Sequence, residues 1–367
     1  MRPGERNKKI DGLRGVLALL VALNHSFLVL KVPAEANIWG QNIFKFTDWQ
    51  SKINQIMMLV GNGGMAVTIF FLISGLVMSY WWQGKNIGWP TLVRFYGKRF
   101  VRLYPAYGLM VVITAIYMTA GGFEHQRFAA ASDWYHYWMN FQMTLKELGL
   151  NLTMIHLYIG GVTWTLRVIV LATLFFPAFK LLKEKITGWW QWLVVAGLYW
   201  IPRWLIRSDN FIDANYFYLF YLGMIIPEWK NSLGILFKKG WGRQGVVWGL
   251  VAVAWWARYQ LFGFVGEWFQ ALSMWLVLGV VADDSSGELG FLTSRFWQFF
   301  GKISYQFYLS HFTVLYLLAR LMFRLNGDFG SVYLGWQGLI FGISTGLTSI
   351  MAWLIWKGER LIANLSK

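Results

Sequence analysis

No cysteine occurs in the 367 residues, which excludes disulfides, thiolate metal sites and a cysteine nucleophile. Charge is scarce as well: Asp, Glu, Lys and Arg make up 14% of the chain, where about 25% is usual in soluble domains. The acidic residues are the rarer sign, 17 against 33 Lys and Arg, for a net charge of +16. Such a balance raises nucleic acid as a partner. The basic residues are not gathered into a soluble domain with a reading motif, however, and no nucleic acid is expected.

What the chain does have is apolar surface: it is 57% hydrophobic, with 24 Trp, 17 Tyr and 29 Phe. This composition belongs in a lipid bilayer. Runs long enough to cross about 30 Å of hydrocarbon lie at about 12–32, 56–80, 102–121, 160–182, 188–206, 211–228, 244–262, 266–284, 298–324 and 332–356. The expected fold is an all-α polytopic membrane bundle of about ten transmembrane helices. Most connections are short, so residues 1–367 are read as a single transmembrane domain. With both termini cytoplasmic, 22 of the 33 basic residues fall on the cytoplasmic side, Arg2, Arg6, Lys238, Lys239 and Lys367 among them, as the positive-inside rule requires. The N-terminus imitates a signal peptide, with Ala34-Glu35-Ala36 as the small-x-small site. Its apolar stretch exceeds the usual 7–15 residues and carries Arg14 and His25, so it is read as a span.

Ionisable groups in hydrocarbon are expensive and point to function. Arg14 and His25 are eleven residues apart, about three helical turns, so they share one face roughly 16 Å apart along the axis. Counted from the helix starts, His25 and His311 sit at a similar depth, and Arg167 reaches that level from the other side. A histidine can take and return a proton near neutrality, and a guanidinium can stabilise an oxyanion. Taken singly, His311 also suits a hydrogen-bonded structural role, and Arg167 a pairing with a helix-end carbonyl. Ser74 and Gly75 form a small polar pair within the run 56–80, suited either to close helix packing or to lining a polar path. Asn62-Gly63-Gly64 marks a local opening of backbone or a flexible helix start.

The basic segment 81–101 runs into Val101-Arg102-Leu103-Tyr104-Pro105. On a helix Arg99 and Arg102 are i,i+3 neighbours, and two adjacent guanidinium forks suit phosphate. Topology-setting charge is the plainer account of them. The longest connection, about 122–159, contains Glu124, His125, Arg127, Asp133, Trp134, Tyr135, His136, Tyr137 and Trp138. It reads either as a platform for a carbohydrate acceptor or as a helix in the interfacial aromatic belt.

The resemblance becomes specific with Ile10-Asp11-Gly12-Leu13-Arg14-Gly15 followed by His25, Phe70-Phe71-Leu72-Ile73-Ser74-Gly75, the run from Arg94 to Tyr107, Thr163-Trp164-Thr165-Leu166-Arg167-Val168, and Gly301-Lys302-Ile303-Ser304-Tyr305 through His311. Five pieces in this order resemble acyltransferase family three, integral membrane proteins of bacterial inner membranes, over the whole chain. That resemblance implies O-acylation, usually O-acetylation, of cell-surface and exported glycans, with acetyl-CoA as donor and a glycan or lipid-linked glycan as acceptor. The family's Arg/Lys-x10-His signature falls on Arg14 and His25, and its Arg-x-x-Arg on Arg99 and Arg102. One departure stands out. The family's Trp-Ser/Thr-Leu-x-Val is normally followed by Glu, where this chain has Ile169, so that carboxylate comes from elsewhere or is missing. No appended esterase-like domain is expected.

The resulting expectation assigns catalysis to His25, Arg14 and Arg167, and donor binding to Arg99, Arg102 and Arg14. Ser74, His311, Asn24 and Tyr305 would line the substrate path, and no metal is expected. Direct attack on the thioester and a covalent acyl-histidine are both open. A transporter or flippase for a glycan or lipid-linked intermediate uses the same residue types, and a silent scaffold remains a third class. The oligomeric state is not legible.

Overall fold

The computed structural model describes residues 7–32, 46–121, 127–205, 209–236, 241–260, 263–282, 289–325, 329 and 332–365. Arg2, Arg6, Ala34-Glu35-Ala36, Glu124, His125, Lys238, Lys239 and Lys367 lie outside them. Among the described residues the protein is all-helical, apart from one isolated bridge between Leu30 and Ala131. Four stretches of the described residues are long and apolar enough to cross a membrane: Trp49–Trp82, Trp89–Gly121, Thr163–Lys185 and Tyr333–Ile362. The chain is therefore a multi-pass membrane protein.

Helix α1, Lys8–Ser26, starts where the Asn7 side chain accepts the Ile10 N–H at 3.0 Å, satisfying one of the donors a helix start leaves open. It stops earlier than the apolar run 12–32, because residues 28–31 turn out to pair with another segment. The run 56–80 is likewise divided. Asp48 caps α2, Trp49–Gly61, by accepting the Ser51 N–H at 2.8 Å. Asn62 (φ 17°, ψ 68°) then interrupts the helix before α3, Gly63–Trp82.

Helix α4, Trp89–Gly121, begins well before the apolar run at 102. Pro90 in its first turn needs no intrahelical N–H partner. Phe95 is buried while Arg94 and Lys98 face outward, so the basic segment folds as an amphipathic extension. The long connection forms the short helices α5, Asp133–Tyr137, and α6, Leu145–Leu152. The remainder comprises α7, Thr163–Lys185; α8, Gln191–Leu205; a 3-10 segment, Asp209–Tyr216; α9, Phe217–Leu236; α10, Trp241–Gln260; α11, Phe264–Val281; α12, Arg295–Leu325; and α13, Tyr333–Leu365.

These helices form two compact units, interleaved in sequence. The first comprises Met1–Leu17, Gly64–Phe100 and Trp164–Phe299. In it α3 and α9 meet through glycine. A Cβ on Gly75 would lie 2.1 Å from the Phe220 carbonyl oxygen, and one on Gly223 would lie 2.0 Å from that of Leu72. Small residues admit such backbone contact where lipid supplies no hydrophobic drive between helices. Gly12 does the same at the start of α1, where a Cβ would meet the Leu292 carbonyl oxygen at 2.0 Å.

The second unit comprises Ala18–Gly63, Val101–Thr163 and Phe300–Lys367. Its centre is α12, whose Phe307, Phe312 and Tyr316 are fully buried. Thr114 and Thr313 hydroxyls bond at 2.7 Å between α4 and α12, and the Tyr316 hydroxyl donates to the Tyr135 carbonyl at 2.8 Å.

Candidate active site

His25 occupies the last turn of α1. Just beyond it the chain turns and then pairs with residues 130–132: Lys31 N–H donates to the Ala130 carbonyl at 2.9 Å and Ser132 N–H to the Val29 carbonyl at 2.9 Å. The Ser132 hydroxyl both donates to the Leu28 carbonyl and accepts the Tyr135 N–H, capping α5. This tether lays the Trp134 ring 5.2 Å from the His25 ring, and Phe312 of α12 meets the same ring edge-on at 5.7 Å.

The partner of His25 is His311. Nδ1 of His25 lies 3.0 Å from Nε2 of His311, and Nδ1 of His311 lies 2.7 Å from the Tyr308 carbonyl oxygen. A carbonyl only accepts, so Nδ1 of His311 carries its hydrogen. With both rings neutral, Nε2 of His311 then accepts and Nδ1 of His25 donates. The lone pair of His25 is left on Nε2, pointed away from its partner. His311 is only 2% exposed, whereas His25 is half-buried. The first can hold a ring in one tautomer and the second can meet a substrate. Sequence depth placed these histidines at one level; the contact between them was not read.

Arg14 is half-buried on α1 with Asp11 3.9 Å away, one turn earlier. Arg167 of α7 pairs with Asp213 of the 3-10 segment at 2.9 Å, their side chains 22% and 4% exposed. Asp213 thus supplies a carboxylate opposite Arg167, from a segment distant in sequence. Sequence reasoning missed it, although the signal was there: Asp213 stands inside the apolar run 211–228, and an ionisable residue in such a run is a candidate by the rule that singled out Arg14. Trp164 and Tyr216, their rings 5.2 Å apart, belong to the segments that carry this pair.

The other expected residues are placed individually. Arg99 is half-buried with its guanidinium 5.8 Å from the Phe95 ring centroid, and Arg102 is exposed, both on α4. The Ser74 hydroxyl donates to the Phe70 carbonyl of its own helix at 2.8 Å. Asn24 packs into the interruption between α2 and α3: a Cβ on Gly61 would lie 3.0 Å from its backbone nitrogen and one on Gly63 3.0 Å from its Oδ1. The Tyr305 hydroxyl donates to the Leu103 carbonyl at 2.5 Å.

A family model described as an acyltransferase domain matches residues 7–356. The chain belongs to acyltransferase family three. The match runs from Asn7, the cap of α1, to Trp356 on α13, so every residue discussed here lies inside it. Comparison with curated proteins and with solved structures gave no match. The protein is a membrane acyltransferase, and family membership favours acyl transfer over the transport reading.

Proposed function

We propose that the protein is a bacterial inner-membrane O-acetyltransferase that moves an acetyl group from cytoplasmic acetyl-CoA to a hydroxyl of an exported or cell-surface glycan. In this reading about ten helices cross the bilayer and both termini are cytoplasmic. The observation that carries the proposal is the His25–His311–Tyr308 chain, which leaves Nε2 of a half-buried histidine free to act as a base.

Acetyl-CoA is the donor substrate. Arg99 and Arg102 on α4 suit its phosphates by charge and spacing, and Arg14, three turns before His25 on α1, suits the path of the pantetheine arm. Nε2 of His25 takes the proton of the acceptor hydroxyl as its oxygen attacks the thioester carbonyl. The carbon–sulfur bond then breaks, and the departing CoA thiolate recovers the proton from His25. The positive charge formed on His25 in between is steadied by its Nδ1–H bond to His311. Arg167, held by Asp213, is kept as a candidate catalytic cation.

The test uses sealed vesicles of known orientation. Acetyl-CoA is consumed only when supplied at the cytoplasmic face, and acetylated glycan appears only at the other. Product confined to the cytoplasmic side would contradict the proposal.

A further inference from the structure

The long connection of the second unit encloses a cavity of about 490 Å³, open at one side, a volume in the range of small-molecule sites. Two exposed tyrosine rings, Tyr137 and Tyr158, stand on its wall with centroids 6.5 Å apart. Asn140 and Gln142 add two exposed amides, each both donor and acceptor. Glu147 adds a carboxylate, and its Oε2 lies 2.8 Å from Nδ1 of His156 on the opposite limb.

Among the described residues the lining contains no Lys or Arg and one carboxylate, which disfavours phosphate and other anions. The amides and the carboxylate disfavour a hydrocarbon chain. A sugar ring suits both halves of the wall, since its C–H face lies on aromatic rings and its hydroxyl rim needs donors and acceptors side by side.

The wall is held in advance. Met139 (φ 54°) and Met154 (φ 60°) are in the left-handed region, where a side chain is strained and persists only when its surroundings impose it. Met139 N–H donates to the Tyr158 carbonyl at 3.1 Å and Met154 N–H to the Asn151 carbonyl at 3.0 Å. The Tyr107 hydroxyl of α4 donates to the same Asn151 carbonyl at 2.5 Å. From the cavity a row of rings leads inward: Tyr137 to Trp138 at 4.9 Å, Trp138 to Phe312 at 5.9 Å, and Phe312 to His25 at 5.7 Å. The buried indole N–H of Trp138, midway along this row, has no acceptor among the described residues.

We propose that this cavity is a saccharide subsite that holds a neutral sugar unit of the acceptor while a neighbouring unit reaches His25. The inference deepens the reading given under Proposed function and rests on it for the identity of the acceptor. The strained backbone at Met139 and Met154 keeps the two tyrosine rings and the amides in place before any sugar arrives.

The test is saturation-transfer NMR on the full chain in nanodiscs with malto-, cello-, xylo- and chito-oligosaccharides. At least one series receives saturation at its ring C–H protons, and its affinity falls at least tenfold in the Tyr137→Ala/Tyr158→Ala double variant and at least threefold in Gln142→Ala. Both tyrosines and the glutamine are exposed, so these variants fold. Absence of transfer from every series, or binding that ignores these substitutions, overturns the subsite even if acetyl transfer proceeds. Binding that depends on the cavity, in a protein that transfers no acetyl group, supports the subsite and overturns the reaction instead.

Discussion

Nδ1 of His25 and Nε2 of His311 lie 3.0 Å apart, and the Tyr308 carbonyl on the far side of His311 fixes which of the two donates. His25→Ala therefore removes the base, and turnover falls by about 10²–10⁴-fold, the usual worth of general base catalysis. His311→Ala leaves KM for acetyl-CoA unchanged and lowers kcat by a smaller factor. His311→Gln partly restores kcat, because its side-chain oxygen can accept the His25 N–H. Steady-state kinetics on the purified protein separate these, and wild-type turnover by His311→Ala would remove it from the mechanism.

Asp213→Ala strips the carboxylate from Arg167 at a site where Asp213 is 4% exposed. Breaking a buried pair in this way costs about 3–5 kcal/mol, and replacing both partners by apolar residues costs less. Thermal unfolding in detergent should rank Asp213→Ala below the Arg167→Met/Asp213→Leu double variant. The reverse order would show that the pair is not a stabilising unit.

Gly75→Ala puts a methyl group 2.1 Å from the Phe220 carbonyl oxygen. Backbone has to move, and overpacking of this kind costs about 1–3 kcal/mol. Gly97→Ala on α4 meets nothing within 4 Å and gains helix propensity. The first variant melts lower than the parent, and the second melts at or above it.

The ring of His136 accepts the Phe128 N–H at Nε2, 3.1 Å away. Burial, followed by the charge of Arg127, lowers its pKa from the ordinary 6.5, against the opposing pull of Asp133 and a backbone bond to Ser132. The folded loop therefore prefers the neutral ring, and the opened loop takes up the proton first as pH falls. Stability at residues 127–138 is full above about pH 6.5 and declines below it. Hydrogen exchange at Phe128, corrected for the intrinsic rate, should quicken between pH 7.5 and 5.5, and should lose this pH dependence in His136→Asn.

Replacing Arg99 and Arg102 together by Ala weakens acetyl-CoA binding, and added salt weakens binding to the parent protein, since exposed charge contacts are screened. Calorimetry decides: unchanged affinity would leave the two arginines as determinants of topology alone.

Hydrophobic runs announced most of the helices, because a segment that must satisfy its backbone inside lipid has few alternatives. The ends were less legible. Nothing in the apolar count distinguishes the helical 12–26 from 28–31, which leave the helix in a turn and pair with residues 130–132. The start of α4 was hidden because its amphipathic first turns bury Phe95 yet read as a charged connection. Within the site, motif spacing located Arg14, His25 and Arg167 on their helices, but partners distant in sequence, such as His311 for His25 or Asp213 for Arg167, are contacts of tertiary structure. The close approach of Gly75 to α9 is likewise a tertiary contact that the small pair Ser74-Gly75 allowed but did not specify.

The tether between residues 28–31 and 130–132 joins two stretches far apart in sequence: α1, which ends in His25, and the limb that closes the cavity from Met139 to Tyr158. The exposed cavity residues Asn140 and Gln142 stand apart from the rings of Trp134 and Phe312 that touch His25. On the proposed reading, substitutions confined to this limb would change which sugar is held while the His25–His311 contact stays as it is. A chimaera that exchanges residues 139–158 separates the choice of acceptor from the chemistry at His25.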